Sequence, residues 1–122
     1  MIYTTEEVEE ETLKYFDGDT LATNVWITKY ALKNKEGSLV EKTPDDMHRR
    51  LASEFARMEE KFGGKRALSE NDIYELFEHF KYIVPQGSPM MGVGNNYVNV
   101  SLSNCVVVDS PSCLLYTSPS PR

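Results

Sequence analysis

A chain of 122 residues, 40% apolar and 26% charged, has the composition of a folded globular domain, and its length bounds it to one modest core. A net charge of −6 excludes a surface built on clustered Lys and Arg to displace the counterions of nucleic acid. No run approaches the roughly 20 apolar residues of a membrane span. Two cysteines are too few for a secreted disulfide framework, so a cytoplasmic protein with reduced thiols is the expectation.

The chain opens with a helix. Thr4 or Thr5 can cap it, Glu6, Glu7 and Glu9 to Glu11 load its positive end, and Gly18 is positioned to stop it. A second helix starts at Asp19 or Thr20 and carries Leu21, Val25, Trp26, Ile27, Tyr30 and Leu32 as an apolar stripe expected in the core. Asn34 to Ser38 supplies turn residues. The third helix has the fullest grammar: Thr43 as cap, Pro44 at the first position, Asp45 and Asp46 in the first turn, and Gly63–Gly64 at the end. Its stripe is Leu51, Phe55, Met58 and Phe62. Arg49, Arg50, Lys61, Lys65 and Arg66 are interleaved with acids and read as a solvated face. A fourth helix repeats the design, with Ser69 as cap, Ile73, Leu76, Phe77 and Phe80 as stripe, and Val84–Pro85 as the break.

From Pro85 the pattern changes. Gly87, Gly92 and Gly94 permit tight turns, and Asn95–Asn96 tolerates them. Val98, Val100 and Leu102 alternate with Asn99 and Ser101 as in a half-buried strand, and the run from Cys105 to Asp109 reads as a second, more buried one. The Ser-Pro-rich end, residues 112–122, fits neither pattern and reads as a non-native tail outside the fold.

Three features bear on chemistry. Cys105 leads an apolar run, where a cysteine is most often a small buried hydrophobe and otherwise a redox thiol at a strand end. The segment from Gln86 to Asn96 offers backbone N–H groups, hydroxyls and amides without competing charge, an inventory suited to phosphate or sugar hydroxyls. It lacks the Gly-Lys-Ser/Thr of a phosphate loop and the spacing of a dinucleotide fingerprint. Met90 and Met91 read as packing residues. His48 and His79 have no second ligand at metal spacing and read as surface or helix-packing histidines.

Four segments together carry a resemblance: Asn24 to Leu32, Thr43 to Arg57, Phe80 to Met90 and Ser101 to Asp109. Their order and gaps resemble the amino-terminal part of adenosylcobalamin-dependent (class II) ribonucleotide reductase over roughly residues 3 to 111. The resemblance implies a mainly α fold: a helical segment over residues 1–84, leading at 85–111 into the first strands of a ten-stranded α/β barrel, here truncated.

It also implies reduction of ribonucleotides at the 2′ position by a thiyl-radical mechanism, with a cysteine pair as reductant. Cys105 matches the amino-terminal member of that pair, Ser88 the place where the substrate phosphate is held, and Ser103 and Asn104 the residues lining the nucleotide site. Adenosylcobalamin is the implied cofactor. Implied partners are a ribonucleoside di- or triphosphate, a nucleotide effector, a thioredoxin-like reductant and a second copy of the chain. The radical cysteine, its carboxylate and the partner thiol of Cys105 are expected beyond this chain, which is therefore expected to be inactive alone. Two other readings stand beside this one: a small helical interaction module without chemistry, and a segment of a class I reductase large subunit.

Overall fold

The computed structural model describes residues 1–65, 67–103 and 105–108. Five α-helices follow in order: α1 (Thr5–Tyr15), α2 (Thr20–Lys29), α3 (Pro44–Phe62), α4 (Glu70–Phe77) and the short α5 (Gly87–Gly92). A 3-10 turn, Glu78–Phe80, closes α4. No helix among the described residues is long and apolar enough to cross a membrane.

The helix starts follow from their caps. Thr4 Oγ1 accepts the Glu7 N–H while the Glu7 carboxylate accepts the Thr4 N–H, a reciprocal box that Ser69 and Asp72 repeat at α4. Asp19 Oδ1 accepts from Ala22 N at 2.9 Å to start α2. At α3 the Asp46 carboxylate accepts the N–H of Lys42 at 2.8 Å. Gly63 ends α3 at φ 57°, the left-handed cap that a residue without Cβ adopts cheaply.

Packing is led by α3, whose Met47, Leu51 and Ala52 are fully buried against Val8 of α1, Trp26 of α2 and Ile73 and Phe77 of α4. Trp26 Nε1 donates to Met47 Sδ at 3.4 Å, and the buried Thr12 hydroxyl donates to the Lys42 carbonyl at 3.0 Å. Residues 31–41 cross between α2 and α3. They are held by single antiparallel bridges, Tyr3 to Leu39 and Lys33 to Leu39, and by the Asn34 side chain, which accepts from Glu36 N and Ser38 N.

The expected stripes are only partly core. On α2 Trp26 is buried, but Leu21 is 73% exposed, because α2 faces α1 along one narrow side. On α3 Leu51 is buried, whereas Phe55, stacked on Phe77 at 6.0 Å, and Phe62 are exposed along the groove between α3 and α4.

Two larger departures lie after α4. The helix ends at Phe77 rather than at Val84–Pro85, and His79 and Phe80 both take left-handed backbone (φ 51° and 54°), strained for residues with a Cβ. The turn is held by the Ile83 N–H donating to Leu76 O at 3.0 Å and by Phe80 meeting His48 edge-on at 4.6 Å. The second departure concerns strands. No β-bridge involves residues 98–103 or 105–108, and Val98, Leu102 and Val106 to Val108 are exposed. An alternating pattern becomes a strand only when a neighbour supplies the ladder, and no described segment does so. The mainly α expectation holds for the described residues, which show no barrel strand.

His48 is a helix-packing residue, fully buried on α3 with its ring stacked on Phe77 and edge-on to Phe80. Neither ring nitrogen has a hydrogen-bond partner among the described residues. Burial lowers its pKa from 6.5 to about 4, opposed by the Asp45 carboxylate and assisted by His79. The unfolded ring takes up its proton near 6.5 and the folded ring only near 4, so its contribution is complete above 6.5 and shrinks as pH falls through that window. Lowering the pH from about 7.5 to about 5 should cost about 2 kcal/mol through this residue, read from urea midpoints. His48→Leu should flatten that slope, and an unchanged slope in the variant would refute the assignment to His48.

Candidate functional site

The stretch that carries the expected site is not a bare loop. Residues 87–92 form α5, whose Val93 N–H donates to Pro89 O at 3.0 Å and Met90 N–H to Gln86 O at 3.1 Å. Ser88 lies in its first turn, half-buried. Pro89 suits an early helical position because it has no N–H to lose there.

Among the described residues, three contacts brace this turn. At its start, Gly87 lies so close to the Tyr30 ring that a Cβ would stand 3.2 Å from Tyr30 Cε1. At Gly92 an added Cβ would collide with Val100 and stand 3.0 Å from Leu102 Cδ2, so the segment after Asn95 folds back over the turn. At its end, Arg50 reaches across from α3. Its guanidinium donates to Met90 O at 2.7 Å and to Val93 O, the carbonyls an α-helical C-terminus leaves without partners. Arg50 Nε also pairs with Glu41 Oε1 at 2.5 Å, and both side chains are nearly excluded from solvent (10% and 6% exposed). Glu41 Oε2 in turn accepts the Leu32 N–H at 3.0 Å.

Arg50 thus overturns the reading of the α3 cations as a solvated face. Arg49 fits that reading, exposed and paired with Asp45 at 3.1 Å, but its neighbour is buried. Sequence reasoning missed Arg50 and Glu41 because a charged pair nine residues apart across a loop has no helical spacing to betray it. The usable signal was Gly94. It sits at φ 73°, with room for a Cβ blocked by Arg50 Cγ at 2.9 Å, so a glycine there marks a close approach.

After α5, Asn95 Oδ1 accepts from Tyr97 N (2.9 Å) and Val98 N (3.2 Å), confirming the expected turn. Ser103 is exposed, its N–H donating to Ser101 Oγ at 3.2 Å. Cys105 is a free, exposed thiol, not the buried hydrophobe that its apolar neighbours favour. Asn104, Asp109 and Cys113 lie outside the described residues. The structure therefore places Ser88 in a braced turn and Cys105 in solvent, without joining them through any described contact.

Other features are structural. His79 stacks on Tyr15 at 5.0 Å, and the Tyr15 hydroxyl is pushed up to about 12 by burial and by the Asp45 carboxylate. Met90 packs on the core as expected, while Met91 is exposed. Among the described residues no cluster of three or more His, Cys, Asp or Glu could hold a metal ion. An apolar groove of about 650 Å³ lies between α3 and α4, lined by residues such as Phe55, Phe62, Leu68 and Ile83.

One family model matches, described as the ribonucleotide reductase all-alpha domain, over residues 16–96, more than half of the chain. The match spans α2 to α5, includes Arg50 and Ser88, and stops before Cys105. Comparison with curated proteins and with solved structures gives no match.

An exposed thiol without a disulfide partner should react without unfolding. Iodoacetamide should alkylate Cys105 in native buffer within about threefold of its rate in urea. Protection of a hundredfold would show that the segment covers it.

Proposed function

The chain belongs to the ribonucleotide reductase all-alpha domain family, and on that premise we propose that it is the amino-terminal segment of a class II, adenosylcobalamin-dependent reductase that supplies a substrate-phosphate turn and one reducing thiol. The observation that carries the reading is the braced turn at residues 87–92, which lies within the family match and holds Ser88 in a defined, half-buried place. The hydroxyl of Ser88 is a neutral donor suited to a phosphate that must also leave as product.

Cys105 is the reductant in this reading. With a second thiol it delivers two electrons and two protons to the ribonucleotide. The 2′ hydroxyl leaves as water, a hydrogen takes its place, and the two sulfurs close to a disulfide. An exposed, unpaired Cys105 suits that task, since it must meet both substrate and partner thiol. Ser103 and Asn104 flank it along the nucleotide. The reading includes a thioredoxin-like reductant to reopen the disulfide, a nucleotide effector and a homodimer.

The family match is common to the class I reading, which shares the turn and the cysteine as well; the class II reading rests on the resemblance of the four segments taken together. The described residues do not fit that cofactor themselves. The groove between α3 and α4 is walled by apolar side chains, with Glu59 as its one ionisable group. The corrin belongs, in this reading, to the rest of the reductase.

In the full reductase, Ser88→Ala should raise KM for a ribonucleotide about tenfold, the worth of one hydrogen bond to a charged group, with a smaller effect on kcat. Cys105→Ser should abolish turnover with a dithiol reductant. Normal turnover in Cys105→Ser, or an unchanged KM in Ser88→Ala, would contradict the role given to that residue. Reduction that needs no added adenosylcobalamin would favour class I.

A further inference from the structure

We infer that Arg50, buried against Glu41, is the positioning residue for substrate binding: it clamps the C-terminal carbonyls of α5 and so fixes the turn from which Ser88 meets the phosphate. The inference rests on the phosphate reading of that turn and adds to it the group that sets its geometry.

A helix of six residues does not hold itself together in water, so its order must come from outside. Tyr30 and Val100 pack against its two glycines. Among the described contacts, Arg50 gives two N–H groups to the carbonyls of Met90 and Val93 while Glu41 fixes the guanidinium plane from the other side. Glu41 is itself anchored by the Leu32 N–H, so the turn is tied both to α3 and to the loop after α2. The planar fork matters. A lysine carries the charge but cannot reach a carboxylate and two separate carbonyls at once. The close seat of Gly94 on the Arg50 stem leaves no slack in this arrangement. Arg50 touches no phosphate in this scheme; it acts through the backbone that carries Ser88.

The test pairs amide exchange on this chain with kinetics of the full reductase. Arg50→Met is combined with Glu41→Gln, so that no carboxylate is left buried without its cation while an oxygen remains for the Leu32 N–H. In the double variant the amides of Met90, Val93 and Asn95, bonded within the turn, should exchange about tenfold faster or more, while those of Leu51 and Ala52 on α3 keep their protection. KM for the ribonucleotide should rise about tenfold with kcat within about threefold, and Arg50→Lys should fall between. Unchanged exchange in the turn overturns the inference. So does a loosened turn with unchanged KM when Ser88→Ala raises KM. If Ser88→Ala itself leaves KM unchanged, the phosphate reading fails first and the inference falls with it. Equal loosening of α3 and α5 would show a general structural role and also overturn it.

Discussion

The pair between Arg50 and Glu41 is the constraint on which the second half of the structure depends. Two ions almost withdrawn from water lose hydration that their mutual attraction alone barely returns. What makes the arrangement stable is that the remaining donors and acceptors are used: two carbonyls of the α5 region on Arg50 and a backbone N–H on Glu41. Losing one partner would strand the other, at a cost of about 3–5 kcal/mol. The ion pairs Lys14–Glu10 and Arg57–Glu54 have exposed cations, whose attraction water and salt screen. One buried pair thus matters more to the site than the exposed ones together.

A second centre lies on the opposite side of α3. His48 fills the space between Phe77 and Phe80, and Phe80 continues to Phe16, just after α1, at 6.4 Å. This aromatic chain accounts for the left-handed backbone at His79 and Phe80. The strain of those two residues is offset by placing one ring against His48 and the other against Tyr15. It also directs the chain out of α4 toward α5, so the turn at residues 87–92 starts from a fixed point.

Much of the helical frame was legible from local chemistry. Thr4, Asp19 and Ser69 cap with their side chains as their types require, α3 starts at Thr43 with the Asp46 carboxylate taking the Thr43 N–H, and Gly63 takes the left-handed end expected of it. These signals are local, so a sequence carries them in full. What stayed hidden depends on contacts between distant residues. Nothing near Arg50 tells whether it faces water or Glu41. The apolar stripe of α2 overstates its burial, since Leu21 and Trp26 differ only in what α1 and α3 place beside them. Residues 98–102 carry a strand's alternation, but pairing belongs to the neighbour and not to the segment. The turn at residues 87–92 reads as a loop because Gly and Pro make up half of it, and the contact that completes its helical end comes from Arg50, 40 residues earlier.

For function, the family match and the geometry bear on different residues. The match covers Ser88 and the braced turn, whereas Cys105 lies beyond it, on an exposed segment. A nucleotide that touches both would join them. The structure of the full reductase with a bound ribonucleotide tests that union most directly. The result expected is a phosphate oxygen within hydrogen-bond reach of Ser88 Oγ, with Cys105 Sγ facing the 2′ carbon. A nucleotide whose phosphates lie away from residues 86–90 would contradict it.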